Sequence, residues 1–130
     1  MHRLGRRQLE IMRLLWRLGE ATVSDLRESL ETAKPLAHTT IATMISRLEK
    51  QGLVAHRVVD RAYVYRAVVS EDRLGRTVVH DLIDRMFSGS AAQLVSQVLE
   101  SDQVDAAELR RIRELVNARA AQRRGRGGAP

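Results

Sequence analysis

Thr39, Thr40 and Thr43 follow His38 and precede Arg47 and Lys50, giving one polar run with helical spacing. Short hydroxyl side chains donate and accept hydrogen bonds at close range, and a threonine methyl can pack on a thymine methyl. Arg47 and Lys50 are long cations suited to phosphate oxygens. At the start of a helix, such a face has the chemistry to read base edges in a DNA major groove, which the N-terminal residues of an inserted helix reach. The plainer reading is a solvated helix face. Threonine is a poor helix former, and a surface with no other duty favours Glu, Lys or Gln, so the clustered threonines weigh against that reading. A second cationic group, Arg57 and Arg61 with Arg66 close by, lies in a stretch of strand character. Its chemistry would be phosphate contact, which positions a protein on a duplex without specifying sequence. The alternative is an ordinary solvated edge.

Other chemistries lack their residues. There is no cysteine, which excludes disulfides, thiolate metal sites and cysteine nucleophiles. His2, His38, His56 and His80 fall in four different elements without the spacing of convergent metal ligands, so neither a metal nor another cofactor is expected. Asp81 and Asp84 sit beside Arg85 and read as a charge-balanced surface. Gly125-Arg126-Gly127-Gly128 follows no strand and is no phosphate loop. The sequence does not read as an enzyme. No apolar run approaches the ~18 residues that cross a bilayer. The basic start Met1-His2-Arg3-Leu4-Gly5-Arg6-Arg7 has no apolar stretch of a signal peptide. The expectation is a soluble, cytoplasmic protein with no membrane insertion.

The elements that must position these residues follow from apolar periodicity and its punctuation. Residues 6–18 carry Leu9, Met12 and Trp16 on one helical face, with Ile11, Leu15 and Leu18 beside it, and Gly19 supplies the stop. Thr22 and Asp25 form a capping box for a second helix with Val23, Leu26 and Leu30 inward, fading at Thr32-Ala33-Lys34-Pro35. A third helix begins around residues 36–38 and runs to Gln51 before Gly52, with Ile41, Met44, Ile45 and Leu48 inward. Its outward face reads Thr39, Thr40, Ala42, Thr43, Ser46, Arg47 and Lys50. Residues 53–59 and 62–69, rich in β-branched residues and tyrosine around Asp60-Arg61, predict a hairpin, whose turn lacks glycine and leaves its type open. Tyr63 and Tyr65 share one face and are expected to pack under the hairpin rather than stack on bases. Trp16 is expected in the core, the alternative being an indole N–H to a phosphate. Three more helices follow, opened by Ser70, by Ser90 with Gln93, and by Asp105 with Glu108.

The fold class is therefore mainly α with a small β-hairpin wing: a winged helix-turn-helix (residues 1–69), then a helical dimerisation region (70–118) and an Arg/Gly-rich tail (119–130) expected to fray. Charge divides the same way, at net +5, −3 and +4. A basic head suits a polyanion. The helical half carries an apolar stripe for a second copy of the chain: Leu74, Val78, Leu82, Met86, Phe87, Leu94, Val98, Leu109, Ile112 and Val116. With only four aromatic residues among 130, the core is lean for so short a chain, and subunit association is a common remedy.

Leu9-Glu10-Ile11-Met12 with Leu15-Trp16, the run from Thr40 to Val54, and Arg61-Ala62-Tyr63-Val64-Tyr65 together resemble the BlaI/MecI/CopY family of penicillinase-repressor-type regulators, over about residues 4–117. The resemblance implies a homodimer on palindromic double-stranded operator DNA, with interlocked C-terminal helices, repressing transcription until a signal relieves it. Members of that family respond to β-lactams through a membrane sensor and proteolysis, or to copper through C-terminal cysteine pairs. The cysteines are absent here, and the Asn-Phe cleavage pair has Gln97-Val98 as its counterpart. Thr39 and Ala42 stand where β-lactam repressors often carry Lys and Arg, a departure that bears on the operator sequence. The reading from another class is a winged-helix adapter that binds a protein partner instead of DNA. Such modules present an apolar or acidic face at the third helix, and the face here is neither.

Overall fold

The computed structural model describes residues 4–30 and 36–127, with backbone only for residues 126 and 127. Its elements run α1 (Arg6–Leu18), α2 (Val23–Ser29), α3 (His38–Lys50), β1 (Val54–Val59), β2 (Ala62–Ala67), α4 (Glu71–Met86), α5 (Ala91–Leu99) and α6 (Ala106–Gly127). Three helices followed by an antiparallel two-stranded sheet make a winged helix-turn-helix. The described residues separate into two compact units, one ending at Asp81 and the other beginning at Leu82, so the division falls inside α4.

The core of the first unit is aliphatic. Ile11, Met12 and Leu15 of α1 close on Leu26 of α2 and on Ile41, Ile45 and Leu48 of α3, with Leu53, Val54, Tyr65 and Leu74 completing it. Local chemistry sets the helix ends. Gly19 takes a left-handed φ of 83° after α1, a conformation glycine adopts without penalty. The Thr22 hydroxyl accepts from the Asp25 N–H at 3.1 Å while the Asp25 carboxylate accepts from the Thr22 N–H at 2.9 Å, the reciprocal box the sequence predicts. The α2 helix ends at Ser29, and the expected fading segment 32–35 lies outside the described residues. Leu18, expected beside the inward face, is exposed because the helix terminates there.

The β1–β2 ladder pairs Val54 with Ala67 through to Val59 with Ala62, leaving a two-residue turn at Asp60-Arg61. Both have positive φ, 49° and 68°, the signature of the primed turn whose twist matches a hairpin. Tyr65 and Ala21 exchange backbone hydrogen bonds of 2.8 and 3.0 Å, which fasten the sheet to the α1–α2 connection.

In the second unit Ser90 caps α5 by accepting from the Gln93 N–H, and Asp105 caps α6 by accepting from the Glu108 N–H at 2.8 Å. The α6 helix continues through residues 119–127, where the sequence predicted a fraying tail. Ala118, Ala120, Ala121, Gln122, Arg123 and Arg124 are all strong helix formers and sustain it. No described residue beyond Leu74 is a buried hydrophobic, and α5 buries none of its side chains. No described helix is long and apolar enough to cross a membrane.

Candidate nucleic-acid interface

Burial of Ile41, Ile45 and Leu48 fixes the rotation of α3 and turns its other face outward. That face is a shallow concavity of about 520 Å³ lined by Thr39, Ala42, Thr43, Ser46, Arg47 and Lys50. Four of the six residues expected on this helix are thus brought together. His38 and Thr40 are exposed in the first turn without lining the concavity. Ala42 and Ser46 join the site although they were not singled out as contacts; the signal was the three- and four-residue spacing from Thr39 through Lys50. The Thr43 hydroxyl donates to the Thr39 carbonyl at 2.9 Å. Its proton is therefore engaged, and what Thr43 presents outward is an acceptor oxygen and a methyl. Ala37 gives α3 no side-chain cap. The Thr40 N–H donates to the Ala37 carbonyl at 3.0 Å, while the N–H groups of His38 and Thr39 have no carbonyl one turn back and suit an anion such as a backbone phosphate.

The α2 helix orients this entrance, since the Arg27 guanidinium donates to the Leu36 carbonyl at 2.8 Å, just ahead of α3. At the other end of α3, the Glu49 carboxylate meets His56 Nδ1 of β1 at 2.7 Å. The His56 ring stacks on Tyr63, with centroids 4.1 Å apart and planes 13° from parallel. Tyr65 is buried and packs beneath the hairpin as expected, whereas Tyr63 is 52% exposed and lies against the His56 ring instead of in the core. The Glu49–His56 link escaped the sequence because nothing local marks two residues seven apart across a turn as partners.

Arg61 stands exposed at the wing tip. Arg57 is also exposed, but its guanidinium grips Glu20 at 2.7 and 3.3 Å. The hydrogen bond from Arg57 holds the Glu20 carboxyl below its usual range, and the same bond raises Arg57. An exposed pair of this kind contributes little stability; its effect is to aim Arg57. Trp16 donates its indole N–H to the Val69 carbonyl at 2.9 Å and packs against the core, so the alternative of a phosphate contact falls away. Leu74, expected at a subunit interface, is only 3% exposed and belongs to the first unit's core. Helical periodicity cannot say which neighbour a stripe faces, and here the first unit's core takes this residue. Val78 lines a cleft against α1. Among the described residues, no three His, Asp or Glu side chains gather as metal ligands would.

The Tyr65 phenol titrates above its ordinary value, first because burial penalises the phenolate and then because Glu49 and Tyr63 face it. A raised folded-state value means the native protein holds this proton longer than the unfolded chain. Stability from Tyr65 is therefore fully present below the ordinary tyrosine range and is lost as pH rises through the folded value. Tyr65→Phe should remove the alkaline loss of unfolding midpoint assigned to this group.

A three-helix core that presents a polar, cation-edged third helix, with a charged hairpin beside it, defines a winged helix-turn-helix DNA-binding protein. The penicillinase repressor family model matches residues 4–118, and the chain belongs to that family. Over 109 residues it is 25% identical to the penicillinase repressor of Bacillus licheniformis, spanning 84% of this chain and 85% of that one. Over 108 residues it is 23% identical to the methicillin resistance regulatory protein MecI of Staphylococcus aureus strain N315, spanning 83% and 88%. Among solved structures, the CopR repressor structure superposes with a TM-score of 0.45 at 26% identity, over 53% of this chain and 100% of that one. The protein is a DNA-binding transcriptional repressor.

Proposed function

We propose that the protein represses transcription as a homodimer on a palindromic operator, with the outward face of α3 in the major groove and Arg61 and Arg57 on the flanking phosphates. The observation that carries this reading is the concavity of Thr39, Ala42, Thr43, Ser46, Arg47 and Lys50. It combines short side chains, which admit bases closely, with cations at its far edge. Two copies related by a two-fold would set their α3 helices ~34 Å apart, one turn of duplex. The second copy would cover the apolar side chains of the second unit, from Leu82 and Met86 through Phe87, Leu94 and Val98 to Leu109, Ile112 and Val116. Five of these eight are exposed, and Phe87, Leu94 and Ile112 are half-buried. An unidentified signal relieves repression. Gln97 and Val98 lie inside α5, so a protease acting there would first have to open that helix.

A gel shift and footprint on the DNA upstream of the protein's own gene, at ~50 mM salt, test the reading. A protected palindrome is the expected result. Failure to shift any such fragment, together with a stable complex to another protein, would favour the adapter reading. Thr43→Ala should lose about 1–3 kcal/mol on the cognate site and relax one base position in each half-site. An unchanged footprint and affinity would remove Thr43 from the reading face.

The wing supplies a second check. Arg61 holds a left-handed backbone (φ 68°) that costs a side chain about 1–2 kcal/mol relative to glycine. Arg61→Gly should leave the unfolding free energy within about 1 kcal/mol of the parent or slightly above it. It should also weaken DNA binding equally on all sequences. Thermal unfolding and filter binding separate the two effects.

A further inference from the structure

We propose that the first unit carries a binding site for a small hydrophobic cation in the cleft between α1 and α4. The cleft encloses about 400 Å³ and is lined by Leu9 and Trp16 of α1 and by Glu71, Leu74, Gly75 and Val78 of α4. That volume lies in the range of small-molecule sites, which are apolar with a few placed polar groups. Neither the DNA-binding reading nor the dimer is needed for it.

Each wall contributes a property that core packing does not require. Trp16 has its one polar atom satisfied by the Val69 carbonyl, so what it offers the cleft is aromatic surface. Gly75 sits in the interior of α4, where glycine costs about 1 kcal/mol relative to alanine. Its backbone is not left-handed, and a Cβ added there would meet nothing within 4 Å. Neither conformation nor close approach calls for glycine, and its effect is to leave the floor of the cleft bare. Glu71 and Asp72 share the first turn of α4, a favourable place for carboxylates. Asp72 is paired with Arg76 at 3.4 Å. Glu71 instead lines the cleft, and among the described residues no cation pairs with it. Aliphatic walls, an indole ring and a carboxylate with no paired cation among the described residues select a compact apolar body with a positive head. An anion of the same shape would meet Glu71 unfavourably.

Trp16 is the only tryptophan, so all indole emission comes from a ring that lines this cleft. The intact protein would be titrated with three probes of one shape: 4-tert-butylbenzylammonium, 4-tert-butylbenzyl alcohol and 4-tert-butylbenzoate. The expected result is a saturable change in emission, with the cation bound about tenfold or more tighter than the carboxylate. Glu71→Gln, at an exposed position, should bring cation and alcohol to within about twofold of each other, with the unfolding midpoint unchanged. Gly75→Leu, whose added atoms enter open space, should abolish saturation while the helical circular dichroism persists, and Gly75→Ala should retain binding. No saturable change with any probe overturns the proposal, as does a preference for the cation that survives Glu71→Gln. Emission that responds to protein concentration but to none of the probes would place a second copy of the chain in the cleft, and would overturn it too.

Discussion

Raising salt from about 50 to about 200 mM is expected to weaken the complex with operator DNA by roughly 10³–10⁵-fold. Arg47 and Lys50 on α3 and Arg57 and Arg61 on the hairpin are all exposed. Doubled by the proposed two-fold axis they would make about eight phosphate contacts, and each contact would release condensed counterions on binding. Equilibrium binding across that range, plotted as log affinity against log salt, measures the slope directly. Arg47→Ala and Lys50→Ala should each lower it by about one per contact and weaken cognate and random DNA alike. Thr43→Ala should leave the slope intact while losing discrimination at one base. Arg57 is a special case, because Glu20 already occupies its guanidinium at 2.7 Å. DNA must displace or share that carboxylate, so Glu20→Gln should raise both affinity and slope. A slope near zero in the parent protein would mean that these cations do not meet phosphates at all.

What could be read in the sequence was what depends on near neighbours. The Thr22–Asp25 box, the Gly19 stop and the inward triad of α3 are each specified within one or two turns of chain, and the structure has them where the spacing puts them. The outward face of α3 follows from the same triad, which is why Thr39, Thr43, Arg47 and Lys50 could be named together. Features that depend on distant partners were not legible. Glu20 and Arg57 are 37 residues apart, and no periodicity connects them. Leu74 has the spacing of an interface residue, yet it belongs to the first unit's core. The turn at Asp60-Arg61 was open because its geometry normally selects glycine or asparagine, and here an arginine accepts the strain at a position where its charge can reach a duplex. The length of α6 was underestimated because arginine and glycine near a terminus suggested disorder, whereas the alanines among them favour helix.

Replacing both Leu109 and Val116 by glutamate is expected to convert the protein to a monomer and to lower operator affinity by about 10²–10⁴-fold. These residues are 50% and 56% exposed on α6, and Val98 and Leu99 of α5 are likewise open to solvent. Every described buried hydrophobic lies at or before Leu74. The second unit therefore holds two capped helices without a core of its own, and a segment that buries so little cannot offset its conformational entropy alone. In the proposed homodimer a second copy of the same surface would supply the missing burial, since an isologous interface places like stripe against like stripe. Glutamate is a good helix former, so the substitutions leave the backbone preference of α6 intact and act through the charge they would bury. The first unit should unfold at an unchanged midpoint, because neither residue is a member of its core. Loss of affinity then reports loss of bivalency: one α3 can engage only one half-site. Sedimentation velocity and operator titration on the same sample test both steps, and a double variant that remains dimeric with parental affinity would move the subunit interface away from α6.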